Sequence, residues 1–209
     1  MKQAIILSIK PKWLSLIIKG KKTVELRKSM PKCELPIDVY LYCTKDIHSA
    51  LIVNQQESSV IYADNPYTAI IGGGRLANGF VVAKFTLKEI EDVGFDWQTF
   101  METEGVIRKF NFTDEQLTKL CMSVEEANKY ALQNTKKDVQ LWHIDDLVIF
   151  DEPKKLSDFH PYFPKLERWC HEDNDCDGCP FLISEDEDCK WLKGLSKAPQ
   201  SWCYVEVGE

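Results

Sequence analysis

The opening 43 residues change hydrophobic period twice, and that order narrows the folds open to the chain. Residues 3–9 (QAIILSI) are β-rich and apolar. Pro11 suits a first helical turn and Gly20 supplies a stop, so a helix is expected from Pro11 to about Lys19. Trp13, Leu14, Ile17 and Ile18 would share its inner face. TVELR at 23–27 then alternates polar with apolar, and VYLYC at 39–43 follows the turn-rich MPKCELP. Strand, helix, strand, strand predicts an α+β class.

Later segments extend this plan. FVVAKFTLKEIEDV, from Phe80 to Val93, sets Val81, Ala83, Phe85 and Leu87 on one side of a long period-two strand. Thr113 to Gln116 opens a helix with an N-cap residue, and Ser123-Val124-Glu125-Glu126 matches a capping box for another. Val139 to Phe150 reads as a strand that ends before Glu152-Pro153, and the tail SWCYVEV (201–207) as a last strand closing the sheet. Between Thr44 and Asn78 polar and turn-forming residues dominate, with Gly72-Gly73-Gly74-Arg75 as a loop, and no element is assigned.

Composition and charge exclude several classes. With 44% hydrophobic residues, 209 residues can fill one core and carry a small appendage. No apolar run approaches the roughly 20 residues of a membrane span, and the N-terminus lacks a leader pattern, so a cytoplasmic protein without membrane contact is expected. A net charge of −7 argues against coating nucleic acid by bulk positive charge. Residues 1–32, however, hold nine Lys and Arg against Glu25 alone, a local charge of about +8 set against about −15 for the rest. That asymmetry suits a localised anion site on an acidic body, or equally an ordinary solvated lysine face.

The stretch ILSIKPKWLSLIIKGKKTVELRKSMPK resembles the signature of the ASCH family: a first strand, Lys-Pro, a helix, Gly-Lys-Lys-Thr, then Glu-Leu-Arg-Lys. FVVAKFTLKEIEDV, WHIDDLVIFDEPKKLSDF and APQSWCYVE are similar to later family elements. The resemblance implies a PUA-like small β-barrel flanked by helices, with a cleft beside the helix-to-strand turn that binds RNA or a modified nucleotide. Ser8, Lys10, Lys21, Lys22, Thr23, Glu25 and Arg27 are the residues expected to line it. Glu25 and Arg27 share one side of a period-two strand, where Arg can grip a phosphate bidentately and Lys can add point charge. The competing reading is a surface ion pair of Glu25 with Arg27 or Lys22 and no ligand.

Some small members of that family resemble amidohydrolases that deacylate N4-acylated cytidine with a Lys, a Thr and a Glu. Carried over, the lysine falls on Lys22 and the threonine on Glu25 or Val24, with Thr23 one register away. The glutamate falls on Glu89 or Glu91. If this alternative holds, Lys22 and Glu25 are the catalytic pair, and a carboxylate beside Lys22 is expected to raise its pKa and blunt it as a base.

Of eight cysteines, Cys33, Cys43, Cys121 and Cys203 stand among apolar neighbours and read as buried small hydrophobes. Cys170, Cys176, Cys179 and Cys189 cluster, and one CxxC with two flanking cysteines can offer four thiolates to a structural zinc. His171 is a substitute ligand, while unligated or paired cysteines and an iron–sulfur cluster stay open. The expected organisation is a barrel domain over 1–168, a Cys-rich zinc-binding insert over 169–192, and a C-terminal strand over 193–209 that completes the barrel. A third reading makes the insert a docking surface for another protein. Gly20-Lys21-Lys22-Thr23 is no phosphate-binding loop, because Ser15 stands where a glycine is needed and the helix precedes the strand.

Overall fold

The computed structural model describes residues 2–46, 48–54, 59–63, 75–100, 105–133, 138–162 and 194–208. In chain order the elements are β1 (Lys2–Ile9), α1 (Pro11–Ile18), β2 (Val24–Arg27), β3 (Ile37–Cys43), β4 (Ala50–Asn54), β5 (Ser59–Ala63) and β6 (Arg75–Leu76). There follow β7 (Val81–Leu87), β8 (Ile90–Asp92), β9 (Phe95–Phe100), β10 (Gly105–Phe110), α2 (Asp114–Leu120) and α3 (Val124–Leu132). Last come β11 (Gln140–His143), β12 (Asp145–Lys154), a short 3-10 turn (Leu156–Asp158), β13 (His160–Pro161) and β14 (Trp202–Val207). The class is α+β.

Six strands form one sheet in the order β12-β7-β3-β1-β14-β13, with β1 parallel to β3 and antiparallel to β14. Smaller sheets run β2-β11-β8, β5-β4-β6 and β10-β9. Each of these has two free edges, so the pairings among the described residues draw no closed barrel. Two expected long strands are each broken. Phe80–Val93 splits at Lys88 and Glu89, and Val139–Phe150 splits at Ile144, just before Asp146 with its left-handed φ of 48°. In both cases one half joins the six-stranded sheet and the other joins β2-β11-β8. Each break is a crossing point between sheets, which a period-two pattern cannot announce. The unassigned 44–78 stretch holds β4, β5 and β6.

The chain divides into two compact units: Met1–Ser15, Asp38–Lys84 and Val148–Glu209 form one, Leu16–Ile37 and Phe85–Leu147 the other. The first unit packs Ala4 and Ile6 of β1 with Tyr40 and Tyr42 of β3, Val81, Phe159 and Val205. Tyr40 and Phe159 meet edge-on at 5.0 Å. Within this unit the residues on either side of positions 163–193 are fastened to one corner. Tyr162 N donates to Tyr204 O at 3.3 Å and Leu195 N to Phe159 O at 2.8 Å. Gly194, at φ +66°, comes so near Ser157 that a Cβ would lie 1.9 Å from its carbonyl oxygen. No L side chain fits there.

The second unit gathers Val24 and Leu26 of β2 with Val93, Phe110, Leu120, Ala131, Val139 and Leu141. Its helices begin as expected. Thr113 and Gln116, and then Ser123 and Glu126, form reciprocal capping boxes that satisfy otherwise orphaned amides. At the far end of α2, Cys121 takes a left-handed φ of 53° and its amide returns to Leu117 and Thr118 carbonyls.

Candidate functional site

The end of α1 decides where the neighbouring lysines go. Gly20 takes φ +68° and donates to Ile17 O at 2.8 Å, and the amides of Lys21 and Lys22 both return to Leu16 O, at 2.9 and 3.1 Å. This tight reversal leaves Lys21 exposed and turns Lys22 inward, where it is 2% exposed. Lys22 Nζ donates to Leu120 O at 3.0 Å, a carbonyl at the end of α2 that lacks a helical partner. The backbone reinforces the clasp. Thr23 N donates to Lys119 O at 3.0 Å, and the Cys121 thiol donates to Lys21 O at 3.2 Å.

From Val24 the chain alternates. Val24 and Leu26 enter the apolar core with Leu141, while Glu25 and Arg27 take the other face of β2. Across the ladder Glu25 lies opposite Trp142 and Arg27 opposite Gln140. All four are buried. Glu25 Oε1 is 3.0 Å from Arg27 Nη1, and Oε2 is 3.3 Å from Lys22 Nζ. The ion pairs of the ligand-free reading therefore exist, but not at the surface, where such pairs are worth little. Here two cations and one carboxylate sit on a buried polar sheet face, and removing one partner of such a set is costly.

This placement also corrects the electrostatic expectation for Lys22. Burial pushes its pKa below the ordinary 10.5, outweighing the upward pull of Glu25; Arg27 adds a smaller push down. The expected rise is thus reversed in direction, toward the range in which a lysine can act as a base.

The other expected residues divide. Thr23 is exposed. Ser8 and Lys10 belong to the first unit, where Lys10 is exposed and Ser8 Oγ donates to Pro199 O at 2.7 Å. Glu89 is exposed, whereas Glu91 accepts from Gln116 Nε2 at 2.6 Å and lies 3.2 Å from His143 Nε2. The expected lysine face is partly engaged within the protein: Lys2 pairs with Asp38, Lys12 lies over the Trp13 ring and Lys28 over the Tyr130 ring.

Cys170, Cys176, Cys179 and Cys189, with His171, lie outside the described residues. No cluster of three or more metal-binding side chains occurs among those described. Of the scattered cysteines only Cys43 is fully buried, its thiol pushed up to about 12; Cys33, Cys121 and Cys203 are half-buried. No helix among the described residues is long and apolar enough to cross a membrane. Sequence reasoning missed Gln140 and Trp142, although their alternation within VQLWH marks a shared strand face.

Comparison with known proteins bears on the whole arrangement. No curated protein matches the chain. Among solved structures it resembles an ASCH protein from Zymomonas mobilis, at 16% identity over 73% of each chain with a TM-score of 0.42. A single-residue variant of that protein aligns at 12% identity over 98% of this chain and 91% of the other, with a TM-score of 0.45. The ASCH domain family itself matches residues 7–155, a span that takes in α1, the Gly20 reversal, the buried Lys22–Glu25–Arg27 set and the β11 strand opposite it. That span is well over half of 209 residues, and the chain belongs to the ASCH domain family.

Proposed function

We propose that this ASCH chain is a binding module for RNA or a modified nucleotide, with Lys22, Glu25 and Arg27 at the centre of its site and Lys21 and Thr23 at the exposed approach. The observation that carries this reading is the buried set itself. Two cations held around one carboxylate on a polar sheet face form a preorganised group able to meet a phosphate or a base edge. Ser8 and Lys10 belong to the first unit and are not part of this centre; Ser8 Oγ donates to Pro199 O. Titration of labelled single-stranded RNA at two salt concentrations tests the reading, and absence of binding at low salt would remove its support.

One observation favours a second reading, the amidohydrolase acting on N4-acylated cytidine. The lowered pKa of Lys22 suits a general base. Against it, Glu25 or Val24 stands where the resembling enzymes place a hydroxyl, and Thr23 is exposed while Lys22 is buried. Acetate release from N4-acetylcytidine by the intact protein and by Lys22→Met separates the two.

The reading includes a structural zinc on Cys170, Cys176, Cys179 and Cys189, supported by their spacing in the sequence and the affinity of thiolates for that metal.

A further inference from the structure

β12, at 10 residues the longest described strand, lies at one edge of the six-stranded sheet. Among the described residues its one neighbour is β7, so one of its two rows of backbone N–H and C=O groups meets no further strand there. The opposite edge is β13, which is only two residues long. A short edge gives a second chain little to pair with; a long one is open to it. Pro153 and the lysines that follow it, residues that usually blunt such an edge, stand at one end of β12. Its middle is apolar. Val148 is 47% exposed and its neighbour Ile149 37%, and because adjacent strand residues point to opposite faces, apolar surface is uncovered on both faces of the edge.

The order of charges along the strand says what fits it. Asp145 and Asp146 open it, Asp151 and Glu152 follow the apolar middle, and Lys154 and Lys155 come last. A second copy added edge to edge by a two-fold axis perpendicular to the sheet runs antiparallel, and such an axis passes through a pair of directly opposed residues. The residue on the axis therefore faces itself, and few registers remain. With Val148 on the axis Asp145 meets Asp151, and with Ile149 there Asp146 meets Glu152. With Asp151 or Glu152 on it a carboxylate meets its own copy, and like charges directly opposed are destabilising. Leu147 on the axis leaves only Asp145–Ile149 paired. Phe150 on the axis avoids every clash: Asp146 meets Lys154 and Asp145 meets Lys155, at both ends.

The geometry points to β12 as a self-pairing edge: we propose that two copies of this chain join antiparallel about Phe150, merging two six-stranded sheets into one. The backbone ladder and the covered Val148 and Ile149 supply the attraction. The exposed ion pairs, individually weak, choose the register. Asp146 already holds Lys88 at 2.8 Å, and a carboxylate has lone pairs for a second donor. Pro153 lacks an N–H and removes at most one hydrogen bond per copy. The proposal stands apart from the nucleotide reading and does not depend on it.

Sedimentation of the full chain from roughly 1 to 200 µM is expected to show the mass rise from one copy toward two. Over the same range, amide exchange within Leu147–Glu152 should slow by about tenfold, while the amides of β9 and β10 keep their rates. Lys154→Glu with Lys155→Glu sets acid against acid at both ends of the pairing and should weaken association by about tenfold or more. The exchange measurement uses the unaltered protein, so it stands even if that variant folds poorly. A chain that stays monomeric at the highest concentration overturns the proposal. So does a dimer that slows no β12 amide, or one that the double variant leaves equally tight, since its contact must then lie elsewhere.

Discussion

Glu25 and Arg27, two residues apart on β2, hold Oε1 and Nη1 3.0 Å apart while both side chains are more than nine-tenths buried. With Lys22 Nζ 3.3 Å from the other carboxylate oxygen, a single carboxylate balances two cations. Glu25→Gln would leave those cations facing each other in a poorly hydrated place. The expected loss is about 3–5 kcal/mol of stability, read from urea unfolding. Lys22→Met should cost far less, because Glu25 keeps Arg27. Equal losses in the two variants would contradict this division.

Lys22 also ties stability to pH. Its folded pKa lies below the unfolded value of 10.5, so over the window between them the unfolded chain binds the proton and the folded chain does not. Stability therefore rises with pH through that window, and the cost of burying the ammonium is fully present below it. Comparing intact protein with Lys22→Met between neutral pH and pH about 10, the gap should shift in favour of the intact protein as pH rises. A gap that is flat or moves the other way would show that burial does not dominate at this lysine.

RNA binding should be weakly salt-dependent, since few cations are exposed near the site. With two or three phosphates neutralised, the slope of log K against log salt is about −1.5 to −2 for a single strand. Arg27→Ala should weaken binding more than Lys21→Ala. A slope several times steeper would point to a different and larger basic surface.

Zinc makes a separate prediction. Untreated protein should contain about one zinc per chain by elemental analysis, and Cys176→Ser should lower that content. Protein that purifies without metal and folds normally would dispose of the assignment.

N4-acetylcytidine is expected to bind without releasing acetate, because the carried-over threonine falls on Glu25 or Val24, and Thr23, the nearby hydroxyl, is exposed while Lys22 is buried. Robust turnover in the intact protein that disappears in Lys22→Met would promote the enzyme reading over the binding module.

Features fixed by contacts a few residues long were the legible ones. Pro11 and Gly20 bound α1, and Thr113 and Ser123 begin α2 and α3, because caps satisfy amides within one turn. The breaks at Lys88–Glu89 and at Ile144 were not legible, since each is imposed by distant strands that take one half each. The hydrogen bond from Ile144 N to Thr23 O, across more than a hundred residues, is part of that constraint. Burial of Lys22 and Arg27 was hidden for a related reason. A lysine or arginine in sequence reads as solvent-facing until its carboxylate and the α2 carbonyl are known to meet it. Apolar runs such as ALIV in β4 and SVIY in β5 were present but diluted by polar neighbours.

The fastening of Tyr162 and Leu195 to one corner of the first unit makes the intervening residues 163–193 a detour with a shared beginning and end. Closure cost grows only with the logarithm of length, about 0.6 kcal/mol per doubling. By closure cost alone, a link of different length between those two ends would burden the strands that carry them little. One term is steric: any such link must still deliver the chain to Gly194, where the Ser157 carbonyl leaves room for a hydrogen atom and nothing larger.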